Sequence, residues 1–228
     1  MEYTSKEQDE ILAFWQGQYI KKCKVCGGSA FLLDRNKKCV CANKCNASYQ
    51  LELNNFGRKY LLSNISDSKI KNEITKYYSN FLDYYADGKG LLIFGKHGTG
   101  KTLAVHVLAK NIMEHILDAV PNFSIHFFLY DDLVRFSYDD KSFIQLEKLI
   151  KKTNVLILDN VGNETGLKTQ ARSSVSLLEN ILRNREMIGK PTIITTTVSP
   201  NDLKQLYSEP ILQIIRRNNL LVCSNEEG

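Results

Sequence analysis

Short apolar runs alternate with longer stretches of helical spacing through most of this chain. Leu91, Leu92, Ile93 and Phe94 form one run, residues 124–130 a second, 155–158 a third, the β-branched residues 192–197 a fourth and 220–223 a fifth. Each has the length and composition of a strand buried on both faces. Between them, Leu103, Val107, Leu108 and Ile112 recur at helical spacing. Residues 131–134 open a helix, 143–152 are amphipathic, and 170–188 predict a long helix stopped by Gly189-Lys190-Pro191. Residues 199–203 start another helix, and 211–217 continue the helical pattern. Strands alternating with helices predict an α/β fold: a three-layer αβα core whose parallel sheet is covered on both faces, with ligands at the carboxyl ends of the strands.

The first third of the chain reads differently. Ile11, Leu12, Phe14, Trp15 and Tyr19 in a polar background predict a short amphipathic helix over 5–20. Phe31, Leu32 and Leu33 predict a strand and Asp34-Arg35-Asn36 a turn. Residues 47–87 are helical in pattern and rich in tyrosine, broken by a loop at 63–67. Phe81, Tyr84 and Tyr85 could stack on bases, but their helical spacing favours the core. The predicted organisation is an N-terminal module over 1–55, a linker over 56–68 and a larger domain over 69–228.

Length and composition sharpen this. A chain of 228 residues with 43% hydrophobic content suits one ordinary domain plus a small module. No run of eighteen apolar residues exists and residues 1–10 are polar and acidic. These features predict a cytoplasmic protein with no membrane partner. The net charge of +5 is uneven: residues 21–60 carry nine Lys/Arg against two Asp/Glu, whereas 61–228 are nearly neutral. A basic module points to an anionic partner such as nucleic acid. Five of the six cysteines lie between Cys23 and Cys45. A cytosolic chain does not normally keep disulfides, so clustered cysteines there read as metal ligands. Cys23 and Cys26, in a Cys-x-x-Cys turn followed by Gly27, form one half of a zinc site. Zinc takes four thiolates and five are at hand: Cys23, Cys26, Cys39, Cys41 and Cys45. The second pair is Cys39 with Cys41 or Cys41 with Cys45; helical spacing favours the latter, and spacing alone does not decide. No thioredoxin-like βαβ pattern surrounds the Cys-x-x-Cys, which argues against a redox role. Cys223 reads as a small apolar residue.

The strongest chemical signal is Gly95-Lys96-His97-Gly98-Thr99-Gly100-Lys101-Thr102, which reads GxxxxGK[ST] between a strand and a helix. The glycines let backbone N–H groups turn inward, and with the helix N-terminus at Leu103 they hold phosphate oxygens. Lys101 is placed to reach the β- and γ-phosphates, and the Thr102 hydroxyl to ligate Mg²⁺. Asp159, at the end of the run 155–158, has the Walker B pattern of a second Mg²⁺-holding group.

With these motifs the chain resembles AAA+ P-loop ATPases of the DnaC/DnaI-type helicase-loader group, which also includes the IstB-like transposition ATPases. The resemblance covers about residues 65–225. It rests on residues 95–102, on Leu158-Asp159-Asn160-Val161-Gly162-Asn163-Glu164, and on Pro191-Thr192-Ile193-Ile194-Thr195-Thr196-Thr197. The cysteine module resembles the N-terminal zinc domain of DnaI-like loaders. The resemblance implies an AAA+ core without a helical lid, subunits that assemble on ATP, a DnaB-family replicative helicase as partner, and delivery of that helicase onto single-stranded DNA. Carried over by position, Thr197 stands at the sensor-1 site and Arg216 or Arg217 near the arginine finger. Two departures touch hydrolysis. The group has a second acid where this chain has Asn160, and an amide cannot serve as general base; Glu164 is the possible substitute. Thr197 replaces an asparagine. Together they imply ATP·Mg²⁺ binding with slow hydrolysis, nucleotide acting as an assembly switch. An IstB-like regulator that recruits a transposase, and a helicase-binding inhibitor with a weakened ATPase, are the alternatives.

Overall fold

The computed structural model describes residues 3–32, 37–162 and 171–223. The chain opens with helix α1 (Ser5–Trp15), capped by Thr4 and Glu7 bonding each other's backbone N–H. A π-helical turn (Gln16–Ile20) leads to the cysteine turn and a small antiparallel pair, β1 (Phe31–Leu32) and β2 (Lys37–Lys38). The expected turn at 34–36 lies outside the described residues. Helices α2 (Val40–Leu53), α3 (Arg58–Leu61), α4 (Lys71–Ser79) and α5 (Phe81–Ala86) follow. Then come β3 (Gly90–Phe94), α6 (Lys101–Ile116), β4 (Ile125–Leu129), α7 (Tyr130–Phe136), α8 (Asp140–Lys152) and β5 (Val155–Asp159). The chain continues through α9 (Ala171–Met187), β6 (Thr192–Thr196), α10 (Leu203–Leu206), α11 (Glu209–Asn218) and β7 (Asn219–Cys223).

Strands β3 to β7 form one parallel sheet in the order β4-β5-β6-β3-β7. Every residue of β5 and β6 is buried, which explains their unbroken apolar and β-branched runs: helices cover both faces. Alternate strand residues feed two cores. Leu91, Ile93, Phe127, Ile157 and Ile193 face α6 together with α1, α2, α4 and α5. Leu92, Phe128, Leu156, Leu158 and Ile194 face the opposite side with α7, α9 and α11. Helix α6 lies between the sheet and the N-terminal helices and is buried nearly all round. Trp15, Leu51 and Phe56 thus share one core with Val107 and Ile112. At the far end of the sheet, buried Arg185 donates to the carbonyls of Ile150, Thr153, Asn154 and Pro191 and to the Thr192 hydroxyl. It ties the ends of α8, α9 and β6 together. Among the described residues no helix is long and apolar enough to cross a membrane.

Because the chain leaves β3 for the distant edge and returns through β4, β5 and β6, a crevice opens at the carboxyl ends of β3 and β6. The loop 95–100 enters it from β3, Asp159 from β5, and residues 195–197 from β6.

Candidate nucleotide and metal sites

Gly100 caps α6 with φ +86°, a left-handed conformation suited to glycine, and so turns the loop sharply into the helix. The Lys101 ammonium folds back over the loop and donates to the carbonyls of Gly95 (2.6 Å) and Lys96 (2.7 Å). Burial lowers its pKa, and the Asp159 carboxylate opposes that shift. The Thr99 hydroxyl donates to the Lys96 carbonyl at 2.9 Å and braces the loop from inside.

Across the crevice, Asp159 is buried and both its oxygens are engaged. The Thr102 hydroxyl donates to Oδ2 at 2.9 Å, and the Thr195 hydroxyl donates to Oδ1. After Asp159 the chain turns through Asn160, which has φ +67° and donates its N–H to Thr195 Oγ1 at 3.0 Å. Asparagine is among the few residues that tolerate this region. Gly162 follows at φ +97°, where a Cβ would stand 2.8 Å from Val198 Cγ2. These groups surround a cleft of ≈ 420 Å³. His97, Gly98, Gly100, Lys101, Thr102, Leu103, Asp159 and Thr197 line it, all of them singled out in the sequence. So do Tyr60, Leu129, Asn160 and Thr195.

Several sequence candidates stand apart from the cleft. Arg216 and Arg217 lie exposed on the last turn of α11, paired with Glu209 and Glu186 at 3.0 Å each. Glu164 lies outside the described residues. Conversely, sequence reading assigned no role at the site to Tyr60 or Thr195. Tyr60 sits in a segment read as linker. Thr195 is one of three consecutive threonines, and only strand pairing tells them apart.

The segment around Tyr60 is held to α6 by polar contacts as well as packing. His106 on α6 is buried, and its Nε2 accepts the Gly57 N–H at 3.1 Å. The ring proton therefore resides on Nδ1, which donates to the Thr102 carbonyl at 2.7 Å. Burial holds the His106 pKa down at about 4, the Thr102 hydrogen bond acting weakly the other way. Lys110, one turn further along α6, donates to the carbonyls of Leu61 and Ser63. On its other side α3 is joined to the N-terminal helices through Glu52, whose carboxylate accepts from the Trp15 indole (2.7 Å) and from Arg58 (2.7 Å).

In the N-terminal module the Sγ atoms of Cys23, Cys26, Cys39 and Cys41 all lie within 4.8 Å of one another. Cys23 and Cys39 are 3.8 Å apart, Cys26 and Cys41 3.5 Å. Four sulfurs bound tetrahedrally at ~2.3 Å from one ion are about 3.8 Å apart, so the cluster fits a metal ion. Desolvation acts to raise the Cys26 thiol, but hydrogen bonds from Cys41, Cys23 and the backbone of Gly28 and Ala30 outweigh it and bring it down to about 6. Helical spacing favoured Cys45 as a ligand, and here the structure corrects that preference. Cys39 caps α2 from extended backbone, and that bend brings it to the cluster beside Cys41. Cys45, one turn on, is buried in the apolar core shared with Ala47 and Leu51, and burial raises its pKa.

Residues 91–215 match the ATPase family associated with various cellular activities (AAA). The replicative helicase loader DnaI of Bacillus subtilis (strain 168) is 27% identical over 140 residues, 58% of this chain. That stretch spans 42% of DnaI, less than half of the curated relative's length. A crystal structure of DnaI superposes with a TM-score of 0.59 at 23% identity, covering 73% of this chain and 90% of that one. A crystal structure of the DnaC helicase loader gives a TM-score of 0.59 at 25% identity, covering 73% and 99%.

Proposed function

Because this chain belongs to the ATPase family associated with various cellular activities, we propose that it is an ATP-dependent helicase loader. It binds a DnaB-family replicative helicase and delivers it onto single-stranded DNA, with nucleotide serving chiefly as an assembly switch. The observation that carries the nucleotide half is the Thr102 hydroxyl held 2.9 Å from the Asp159 carboxylate at the mouth of the phosphate loop. Those two oxygens suit a hard divalent ion such as Mg²⁺, which when bound neutralises phosphate charge. Lys101 and the N–H groups of residues 98–102 bind the phosphates, and Tyr60 and Leu103 offer an apolar wall for the base. Asn160 occupies the place of a general base and cannot accept a proton, so turnover is slow. Arg216 and Arg217, exposed and away from their own cleft, suit a finger reaching the cleft of a neighbouring subunit in an ATP-bound homo-oligomer. The cysteine cluster holds Zn²⁺, the ion that four closely spaced thiolates favour. The helicase half rests on the likeness to the DnaI and DnaC loaders, which favours a loader over a transposition ATPase.

Pull-down of the host replicative helicase with and without ATP tests this, with Lys101→Ala as control. Capture by the wild type that ATP strengthens, and that Lys101→Ala leaves insensitive to ATP, is the expected result. No capture in either nucleotide state overturns the loader reading and turns attention to transposase and duplex DNA.

A further inference from the structure

We propose that Thr195 is the positioning residue for the divalent-metal site: one buried hydroxyl sets the rotamer of Asp159 and the backbone turn that presents Asn160 to the cleft. The inference rests on the nucleotide reading above and goes beyond it to a residue outside the phosphate loop.

Thr195 is 1% exposed. A threonine hydroxyl has one proton and two lone pairs. Its proton goes to Asp159 Oδ1, and a lone pair accepts the Asn160 N–H at 3.0 Å. Both directions are fixed, because a backbone N–H can only donate and an ionised carboxylate can only accept. The carboxylate is thereby stretched between two hydroxyls, Thr195 on Oδ1 and Thr102 on Oδ2. Without the Thr195 contact, the Thr102 hydrogen bond on Oδ2 is the one side-chain hydrogen bond left to Asp159 among those described, and a single bond fixes χ1 and χ2 less firmly than two on opposite oxygens.

Strand register explains why this threonine and not its neighbours has the role. Leu158 on β5 pairs with Ile194 on β6, so Asp159 and Thr195 are the next facing pair and share one side of the sheet. Thr196 points to the other side, where its hydroxyl accepts the Val198 N–H at 3.0 Å. Thr197 lies beyond the strand and lines the cleft. The turn at Asn160 has a second tie to the same residue, since the Val161 N–H donates to the Thr195 carbonyl at 2.9 Å. That backbone bond survives substitution of the side chain, so the hydroxyl alone can be tested.

The experiment is a Mg²⁺ titration of fluorescent ATP-analogue binding to full-length wild type, Thr195→Val, Thr195→Ala and Thr195→Ser, with melting curves to establish folding. Partners that orient a metal ligand typically change metal affinity 10–100-fold when removed. The expected result is a Mg²⁺ midpoint at least ~10-fold higher in Thr195→Val and Thr195→Ala, metal-free nucleotide binding weakened far less, and the wild-type midpoint restored in Thr195→Ser. An unchanged midpoint in the folded Val or Ala variant overturns the proposal. So does equal weakening of binding with and without Mg²⁺, which would mark a merely structural role. A wild type that binds no nucleotide at any Mg²⁺ concentration overturns the nucleotide reading itself, and the proposal with it.

Discussion

Asn160 concentrates the chemistry of this site in one residue. It follows the buried Asp159 carboxylate, lines the cleft, and sits at φ +67°. Aspartate tolerates that backbone nearly as well as asparagine, so Asn160→Asp can be made without disturbing the turn. Restoring a carboxylate at a general-base position is worth typically ~10²–10⁴ in rate. Asn160→Asp is therefore expected to raise steady-state ATP turnover at least ~10-fold with nucleotide affinity little changed, measured by phosphate release. A wild-type turnover already high, and abolished by Asn160→Ala, would instead make the amide essential and end the slow-switch reading.

At the scale of elements, two local clusters of polar side chains organise the N-terminal third. One is the thiol cluster, which spans the turn at Cys23 and Cys26, the bend at Cys39 and the first turn of α2. Cys26→Ser is expected to lose the bound metal, read as zinc released to a chelating dye, while Cys45→Ala keeps it at full stoichiometry. Equal loss in both variants would put Cys45 back among the ligands. The other is Glu52, buried between Trp15 and Arg58. Glu52→Ala leaves the buried Trp15 indole N–H without its acceptor, an effect of about 1–3 kcal/mol. Arg58 is partly exposed and regains water, so it adds little. Denaturant unfolding of Glu52→Ala and Trp15→Phe checks this. Trp15→Phe removes the indole donor but also opens a cavity in the core, where Trp15 is fully buried, so its loss adds a packing cost to that of the hydrogen bond.

At the scale of the whole molecule, buried His106 and half-buried His126 are expected to make stability fall in mild acid. His106 and His126 are both held near a pKa of about 4 by desolvation, helped at His126 by the nearby Arg185 charge. The unfolded chain binds those protons at about 6.5. Between pH 6.5 and 4 the unfolded state therefore carries more protons than the native one, and stability drops as pH falls through that window. His126→Gln is expected to shrink the loss of unfolding free energy between pH 7 and pH 4.5 by about 2–3 kcal/mol, measured by urea titration at both values. An unchanged difference would mean that His126 is protonated in the native state.

What the sequence determined by itself was whatever depends on near neighbours in the chain. The five strand runs, the phosphate loop with its helix, and Asp159 at the end of β5 were all legible, because periodicity and glycine placement act over a few residues. So was a cluster of thiols fit to hold a metal ion, though its membership was not: four-residue spacing favoured Cys45, and the bend at Cys39 brings Cys39 to the cluster beside Cys41. Tertiary structure decided the rest, because those choices depend on which distant segments meet. Three consecutive threonines are alike until β6 pairs with β5, and only then does Thr195 face Asp159 while Thr196 faces away. Tyr60, in a stretch helical in pattern and assigned to a linker, lines the cleft, because the Gly57 N–H and the carbonyls of Leu61 and Ser63 find partners in His106 and Lys110 on the phosphate-loop helix. Local pattern fixes the elements; the pairing of polar groups far apart in the chain fixes which of them reach the site.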